Sequence, residues 1–110
     1  MIRFIPFESE NCLGMKALDG ENEVGICTFA LDGYFMNFLS VDCSDDIITE
    51  GLARAAMNYA ANRNAYIAKI GKQLSVPAFI RLGFSGDNEL SVEIPEALSS
   101  GCSCGGSKPF

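Results

Sequence analysis

The sequence predicts an α+β fold: a mixed sheet, built from an antiparallel meander plus one β-α-β parallel pair, with two helices. Three observations lead there. Asp-Gly pairs at 19–20 and 32–33 separate short apolar runs, and such pairs between strands are a strong local hairpin signal because Gly accepts positive φ without steric penalty. The hydrophobic period then changes from two to about 3.6 over residues 46–62. A further strand-like run follows at 65–70, and a strand, a crossover helix and a strand make a right-handed parallel pair.

Taken in order, residues 2–5 (Ile-Arg-Phe-Ile) form a short strand that Pro6 stops. Residues 12–18 form a second, less strongly patterned strand. Residues 23–31 and 34–41 are the clearest strands, joined by the Asp32-Gly33 linker. Ile48, Leu52, Ala55, Ala56 and Tyr59 recur at helical spacing and mark one apolar face. Ser44 or Asp45 can cap that helix, and Asn62-Arg63-Asn64 ends it. A short helix over 75–82 carries Pro77 near its first turn and stops at Gly83. Leu90, Val92 and Ile94 alternate as a last strand before Pro95. Residues 1–98 thus read as a single domain, and 99–110 as a flexible Gly/Ser/Cys tail.

Composition narrows the function classes. The chain has 110 residues, a 48% hydrophobic share and a net charge of −6. That balance fits one folded domain and disfavours a general nucleic-acid surface. No stretch is long enough to span a bilayer, and the N-terminal Met-Ile-Arg-Phe-Ile-Pro-Phe-Glu lacks a signal-peptide pattern, so the cytoplasm is the expected compartment with no membrane partner. With no histidine, His-based nucleophile activation and His-containing metal sites are excluded. Five cysteines, at 12, 27, 43, 102 and 104, do not form a secreted disulfide framework. Cys27, within Gly-Ile-Cys-Thr-Phe, reads as a small core residue.

Charge is unevenly spread. Residues 51–86 hold Arg54, Arg63, Lys69, Lys72 and Arg81 and no acid, a local charge of +5 against −11 elsewhere. This pattern is either a solvated helix face or a local anion site. Just before it, "VDCSDDIITEG" (41–51) places Asp42, Asp45, Asp46 and Glu50 at a strand-to-helix turn. Such turns commonly hold phosphates, because free N–H groups at a helix start attract anions. The acids either complement the helix dipole or mark an altered cofactor site.

The stretch "FIRLGF" (79–84) resembles the aromatic-x-x-Leu-Gly-Phe signature of the Gcn5-related N-acetyltransferases (GNAT). With "FLSVD" ahead of "GLARAAMNYAANRNAYIAKI", residues 23–94 are similar to the core of that superfamily, which makes the expected fold an acyl-CoA N-acyltransferase-like mixed sheet. The resemblance implies that acetyl-CoA or CoA lies between two splayed parallel strands, with its diphosphate on an Arg/Gln-x-x-Gly-x-Gly/Ala loop. It implies Leu39, Val41, Asp46, Thr49, Gly51 and Leu52 as cofactor-binding residues. Asp46 stands at the Arg/Gln position, Thr49 at the first Gly, and only Gly51 matches. Phe79 stands where many members carry a Tyr that protonates the leaving thiolate, so no catalytic residue is assigned; Asp42 and Glu50 are the nearest candidate bases. Lys72 and Ser75 stand at the family's Asn-x-x-Ala positions. Residues 6–11 are too few for the helices that usually follow the first strand.

The implied activity is acyl-CoA-dependent N-acetyl transfer to a small-molecule or peptide amine. The alternative is a non-catalytic domain on the same fold, sensing thiols or metal through Cys102 and Cys104, with a homodimer as one arrangement. Two thiols two residues apart can share a soft metal or cycle to a disulfide, or do nothing specific.

Overall fold

The computed structural model describes residues 2–10, 12–71, 77–86 and 89–100. The chain runs β1 (Ile2–Glu8), β2 (Leu13–Asp19), β3 (Asn22–Asp32), β4 (Phe35–Asp42), α1 (Asp46–Ala61), β5 (Ile67–Gly71), α2 (Pro77–Arg81), β6 (Glu89–Glu93) and α3 (Ile94–Ser100). All six strands form one sheet in sequence order. β1 to β4 make the antiparallel meander, β4 and β5 pair in parallel across α1, and β6 returns antiparallel to β5. The mixed α+β sheet is therefore as the sequence predicts.

Three details differ from the sequence reading. Pro6 does not stop the first strand; β1 continues to Glu8 with Pro6 opposite Met15. β1 is an edge strand, where a missing N–H costs no ladder bond. Each Asp of the Asp-Gly pairs is the last residue of its strand. The two-residue loops are Gly20-Glu21 and Gly33-Tyr34, with the glycine first at φ 68° and 59°. A third helix, α3 at Ile94–Ser100, stands where the alternation predicts the end of a strand: Pro95 sits in its first turn, and Ile94 and Ala97 are buried. Pro is tolerated there because a first-turn N–H has no partner within the helix. The stretch around Lys72 and Ser75 lies outside the described residues.

The core lies between one sheet face and α1. Met15, Cys27, Phe29, Met36 and Phe38 project from the sheet onto Leu52, Ala53, Ala56, Met57 and Ala60. The buried stripe of α1 also includes Thr49, so it lies about one residue round from the predicted face. Three alanines in that stripe let the helix lie close to large sheet side chains. α2 and α3 both pack beside α1, on the same side of the sheet.

Both loops that return the chain from a helix use one device. Asn64 (φ 77°) follows α1, with Asn64 N–H donating to Ala61 O and Ala65 N–H to Ala60 O. Gly83 (φ 103°) follows α2, with Gly83 N–H donating to Ile80 O and Phe84 N–H to Phe79 O. These are Schellman endings, which require a left-handed residue and bring flanking apolar side chains together. The Phe79 and Phe84 rings accordingly meet edge to face at 5.2 Å. The Leu-Gly-Phe signature thus has a structural reason: Leu82 and Phe84 are buried, and Gly83 reverses the chain between them.

Candidate active site

The parallel ladder between β4 and β5 runs only from Phe35–Ile67 to Phe38–Ile70. β4 then continues for four residues, still paired with β3 on its other side. A bulge marks the departure: Phe38 faces Phe29 but Ser40 faces Thr28, so Leu39 is the extra residue and is 48% exposed. Bulges bend a strand and leave the extra residue unpaired. Beyond it lies a cleft of about 240 Å³ lined by Val41, Cys43, Ser44, Asp46, Thr49 and Pro77.

Of the residues named from sequence as cofactor-binding, Val41, Asp46 and Thr49 meet in this cleft, and Leu39 lies at its strand edge. Gly51 and Leu52 do not. Leu52 is a core side chain. Gly51 faces β1, where an added Cβ would stand 2.6 Å from Phe4 Cζ. Cys43, Ser44 and Pro77 were not anticipated; Cys43 and Ser44 lie within the acidic turn itself, but nothing local signals Pro77, which comes from a different element.

The start of α1 is already occupied by its own side chain. Asp45 Oδ1 accepts from Ile47 N (2.9 Å) and Ile48 N (3.1 Å). Thr49 Oγ1 donates to Asp45 O at 2.8 Å. Asp46 forms an ion pair with Arg81 Nη2 of α2 at 2.6 Å. Arg81 also reaches Glu50 Oε1 (3.2 Å), and Glu50 Oε2 pairs with Arg54 at 2.6 Å. The hydrogen bond that Arg81 donates to Asp46, then those it donates to Glu50, hold its guanidinium more firmly protonated than usual. Arg54 Nε is buried without a partner.

Among the described residues, the cations of the basic segment are engaged within the chain, by carboxylates or by aromatic rings. Besides Arg54 and Arg81, Arg63 lies 3.7 Å above the Tyr59 ring, and Lys69 lies 4.3 Å above Phe35 and 4.0 Å from Glu89. Of the candidate bases, Glu50 is bound by two arginines, whereas Asp42 is exposed at the end of β4. Phe79 is 1% exposed, with its ring 5.2 Å from those of Phe38 and Phe84. It faces the core rather than a cleft.

Cys27 is buried, and burial pushes its thiol up to about 12. Cys43 Sγ lies 3.4 Å from Asp45 O. Cys102 and Cys104 lie outside the described residues. Among the described residues, no group of three or more potential metal ligands gathers, and no helix is long and apolar enough to cross a membrane.

No protein-family model matches the sequence, and no curated protein matches it. Solved structures do. A protein assigned to the GNAT acetyltransferase family, from Desulfovibrio desulfuricans, superposes with a TM-score of 0.65 at 9% identity, over 76% of this chain and 70% of its own. A probable acetyltransferase from Staphylococcus epidermidis gives 0.66 at 16% identity, over 74% and 67%. The ribosomal-protein-S18-alanine N-acetyltransferase from Escherichia coli gives 0.61 at 9%, over 79% and 72%.

This is the GNAT fold. At such identities the likeness concerns architecture. Within the GNAT frame, the parting of β4 and β5 is present, while the helix start beside it carries the chain's own carboxylates. The connection between β1 and β2 is short enough that Ser9 N–H donates to Cys12 O.

Proposed function

We propose that the chain is an acyl-CoA-dependent N-acetyltransferase of reduced size, acting on a primary amine of a small molecule or peptide in the cytoplasm. The observation that carries this reading is the parting of β4 from β5. Past Phe38, among the described residues, no ladder occupies the β5-facing backbone of β4, and an extended amide-bearing chain such as the pantetheine arm of CoA can satisfy those groups as an added strand would.

The diphosphate fits at a cost. It must displace Asp45 from Ile47 N and Ile48 N, a cap worth about 1 kcal/mol, and must draw Arg81 away from Asp46, an exposed pair that solvent screens. Loss of the cap alone weakens binding by about fivefold and does not forbid it. Arg81 then offers the cation that the Asp46 position lacks.

Acetyl-CoA, when bound, supplies the activated thioester. The chain's contribution is mainly to orient the amine for direct attack. Asp42, exposed and with no arginine paired to it among the described residues, is freer than Glu50 to accept the amine proton, directly or through water. Phe79 has no hydroxyl to donate, so the departing thiolate takes its proton from water.

A second reading is a non-catalytic domain on the same fold, favoured by the self-capped helix start and the buried Phe79. Calorimetric titration with acetyl-CoA, using the native chain and Asp46→Asn, separates the two. Binding by both, tighter in the variant, with thiol release when amines are added, supports the transferase. Binding by the variant alone supports the non-catalytic domain. Binding by neither overturns the cofactor assignment.

A further inference from the structure

The strand edge of the cleft and the turn beside it differ in what they can accept. Leu39 to Asp42 lie past the end of the parallel ladder, so an amide-bearing arm meets extended backbone with which it can pair. The turn that follows has little to give an anion. Of the N–H groups at 45–48 that the helix itself leaves unpaired, Ile47 N and Ile48 N are held by Asp45 Oδ1. Thr49, which lines the cleft, is 3% exposed, and its hydroxyl donates to Asp45 O at 2.8 Å. A hydroxyl has one proton to donate, so it has none left for a phosphate. Gly51 packs against Phe4 and opens no path to the backbone from the cleft.

Charge acts in the same sense. Among the described residues, the four carboxylates of Asp42, Asp45, Asp46 and Glu50 gather at the turn and the start of α1 with the two guanidiniums of Arg54 and Arg81, a local charge of −2. A diphosphate adds further negative charge, and like charges a few ångströms apart repel even where solvent and salt weaken the interaction. The cleft itself, at about 240 Å³, is smaller than the roughly 300–1,000 Å³ of sites that enclose small organic ligands. It suits part of an extended arm better than an arm together with a nucleotide.

We infer that the chain recognises its acyl donor by the pantetheine arm alone, and that this donor is a pantetheine thioester lacking the adenosine diphosphate half of CoA. The inference rests on the acetyltransferase reading and narrows it. A free pantetheine thioester has this chemistry, and so does the same arm carried on a protein through a single phosphodiester. The first brings no charge to the acidic turn, and the second brings less than a diphosphate. The transfer balances as it does for acetyl-CoA. The amine nitrogen bonds to the thioester carbonyl carbon, and the carbon–sulfur bond breaks. The sulfur leaves as a thiolate protonated from water, and the proton lost by the amine returns to water.

The test is calorimetric titration of the full chain with three donors: acetyl-CoA, acetyl-pantetheine, and a carrier protein bearing acetyl-phosphopantetheine. Acetyl-pantetheine should bind at least as tightly as acetyl-CoA, and up to about fivefold tighter, because it leaves the Asp45 cap in place. Asp45→Ala should tighten acetyl-CoA several-fold and leave acetyl-pantetheine unchanged, and the unchanged titration shows the variant to be folded. Both results support the inference. The carrier arm then identifies the source: binding tighter than that of acetyl-pantetheine assigns the donor to a carrier protein, and weaker binding assigns it to the free thioester. Acetyl-CoA binding more tightly than acetyl-pantetheine overturns the inference while the acetyltransferase reading stands. So does an Asp45→Ala effect of equal size on those two donors. Failure of all three donors to bind overturns the inference and the acetyltransferase reading together.

Discussion

Replacing Gly51 with alanine separates two explanations of the one glycine that matches the cofactor-loop pattern. On an unobstructed helix, Ala is favoured over Gly by about 1 kcal/mol. Here the new Cβ would stand 2.6 Å from Phe4 Cζ and 3.2 Å from Phe4 Cε2. Carbon atoms sit best about 3.5–4.0 Å apart, so the ring must retreat by roughly 1 Å from its place under α1. Overpacking of this kind costs about 1–3 kcal/mol. The expected net effect of Gly51→Ala is a loss of about 1 kcal/mol. In a Phe4→Ala background the obstruction is gone, and the same substitution should add about 1 kcal/mol. The coupling in the double-mutant cycle is therefore about 2 kcal/mol. Urea unfolding of the four proteins, followed by far-ultraviolet circular dichroism, resolves it, because 1 kcal/mol moves the midpoint by about 0.3–1 M. Acetyl-CoA affinity should be unchanged, since Gly51 faces Phe4 and not the cleft holding Val41, Asp46 and Thr49. Stabilisation by Gly51→Ala in both backgrounds would refute the packing argument. Loss of affinity with unchanged stability would return Gly51 to the phosphate cradle.

Three further substitutions or titrations test the site and the core. Asp45→Ala should lower stability by about 1 kcal/mol by removing the cap, yet tighten acetyl-CoA binding several-fold by freeing Ile47 N and Ile48 N; a denaturation curve and a calorimetric titration should move in opposite senses, and parallel movement would contradict the self-capping account. Phe79→Tyr should cost about 1–3 kcal/mol, because its hydroxyl enters a core with no partner, and should not raise the rate of thiol release from acetyl-CoA; a faster rate would place the ring at the reacting atoms. The Cys27 thiol should resist a thiol-specific reagent at pH 8 in the folded chain while Cys12 and Cys43, both partly exposed, react. Its proton is held up to about pH 12 when folded, against 9.0 for an unperturbed thiol. The folded state then binds more protons than the unfolded one between those values, so stability is fully present below pH 9 and declines as pH rises toward 12. Cys27→Ser should change that slope in an alkaline unfolding series, and an unchanged slope would assign the decline to other groups.

The sequence was most legible where structure follows from local chemistry. The alternation of the strands, the hairpins at the two Asp-Gly pairs, a cap at Ser44 or Asp45 and a helix over about 46–62 all depend on neighbours within a few residues, and the structure keeps each to within a residue: Asp45 is the cap, the helix ends at Ala61, and each turn is displaced by one residue. Leu-Gly-Phe was readable for the same reason, as a left-handed glycine between two buried side chains. Pro6 misled because its effect depends on which strand lies at the sheet edge, a property of the whole topology. α3 was missed because Leu90, Val92 and Ile94 continue an alternating pattern up to the point where the chain turns helical. Its buried contacts, Ile94 and Ala97, are too few to show a helical period. The cofactor loop was hardest. Asp46 looked like a bare carboxylate until Arg81, 35 residues later, was seen to pair with it. Gly51 matched a motif while its neighbour Phe4 was supplied by the opposite end of the domain.

The sequence-ordered sheet has a consequence for how the chain is made. Every strand pairs with the one synthesised just before it, so the meander needs no distant segment to begin forming as translation proceeds. Its inner face is a different matter. Met15, Cys27, Phe29 and Met36 are all in place once β4 is made, but the helix that covers them ends at Ala61. At about 5–20 residues per second, the ribosome takes about 1–4 s to deliver that cover. For this interval the nascent chain carries a nearly complete, sticky surface, which is the point in its life at which a ribosome-associated chaperone has most to do.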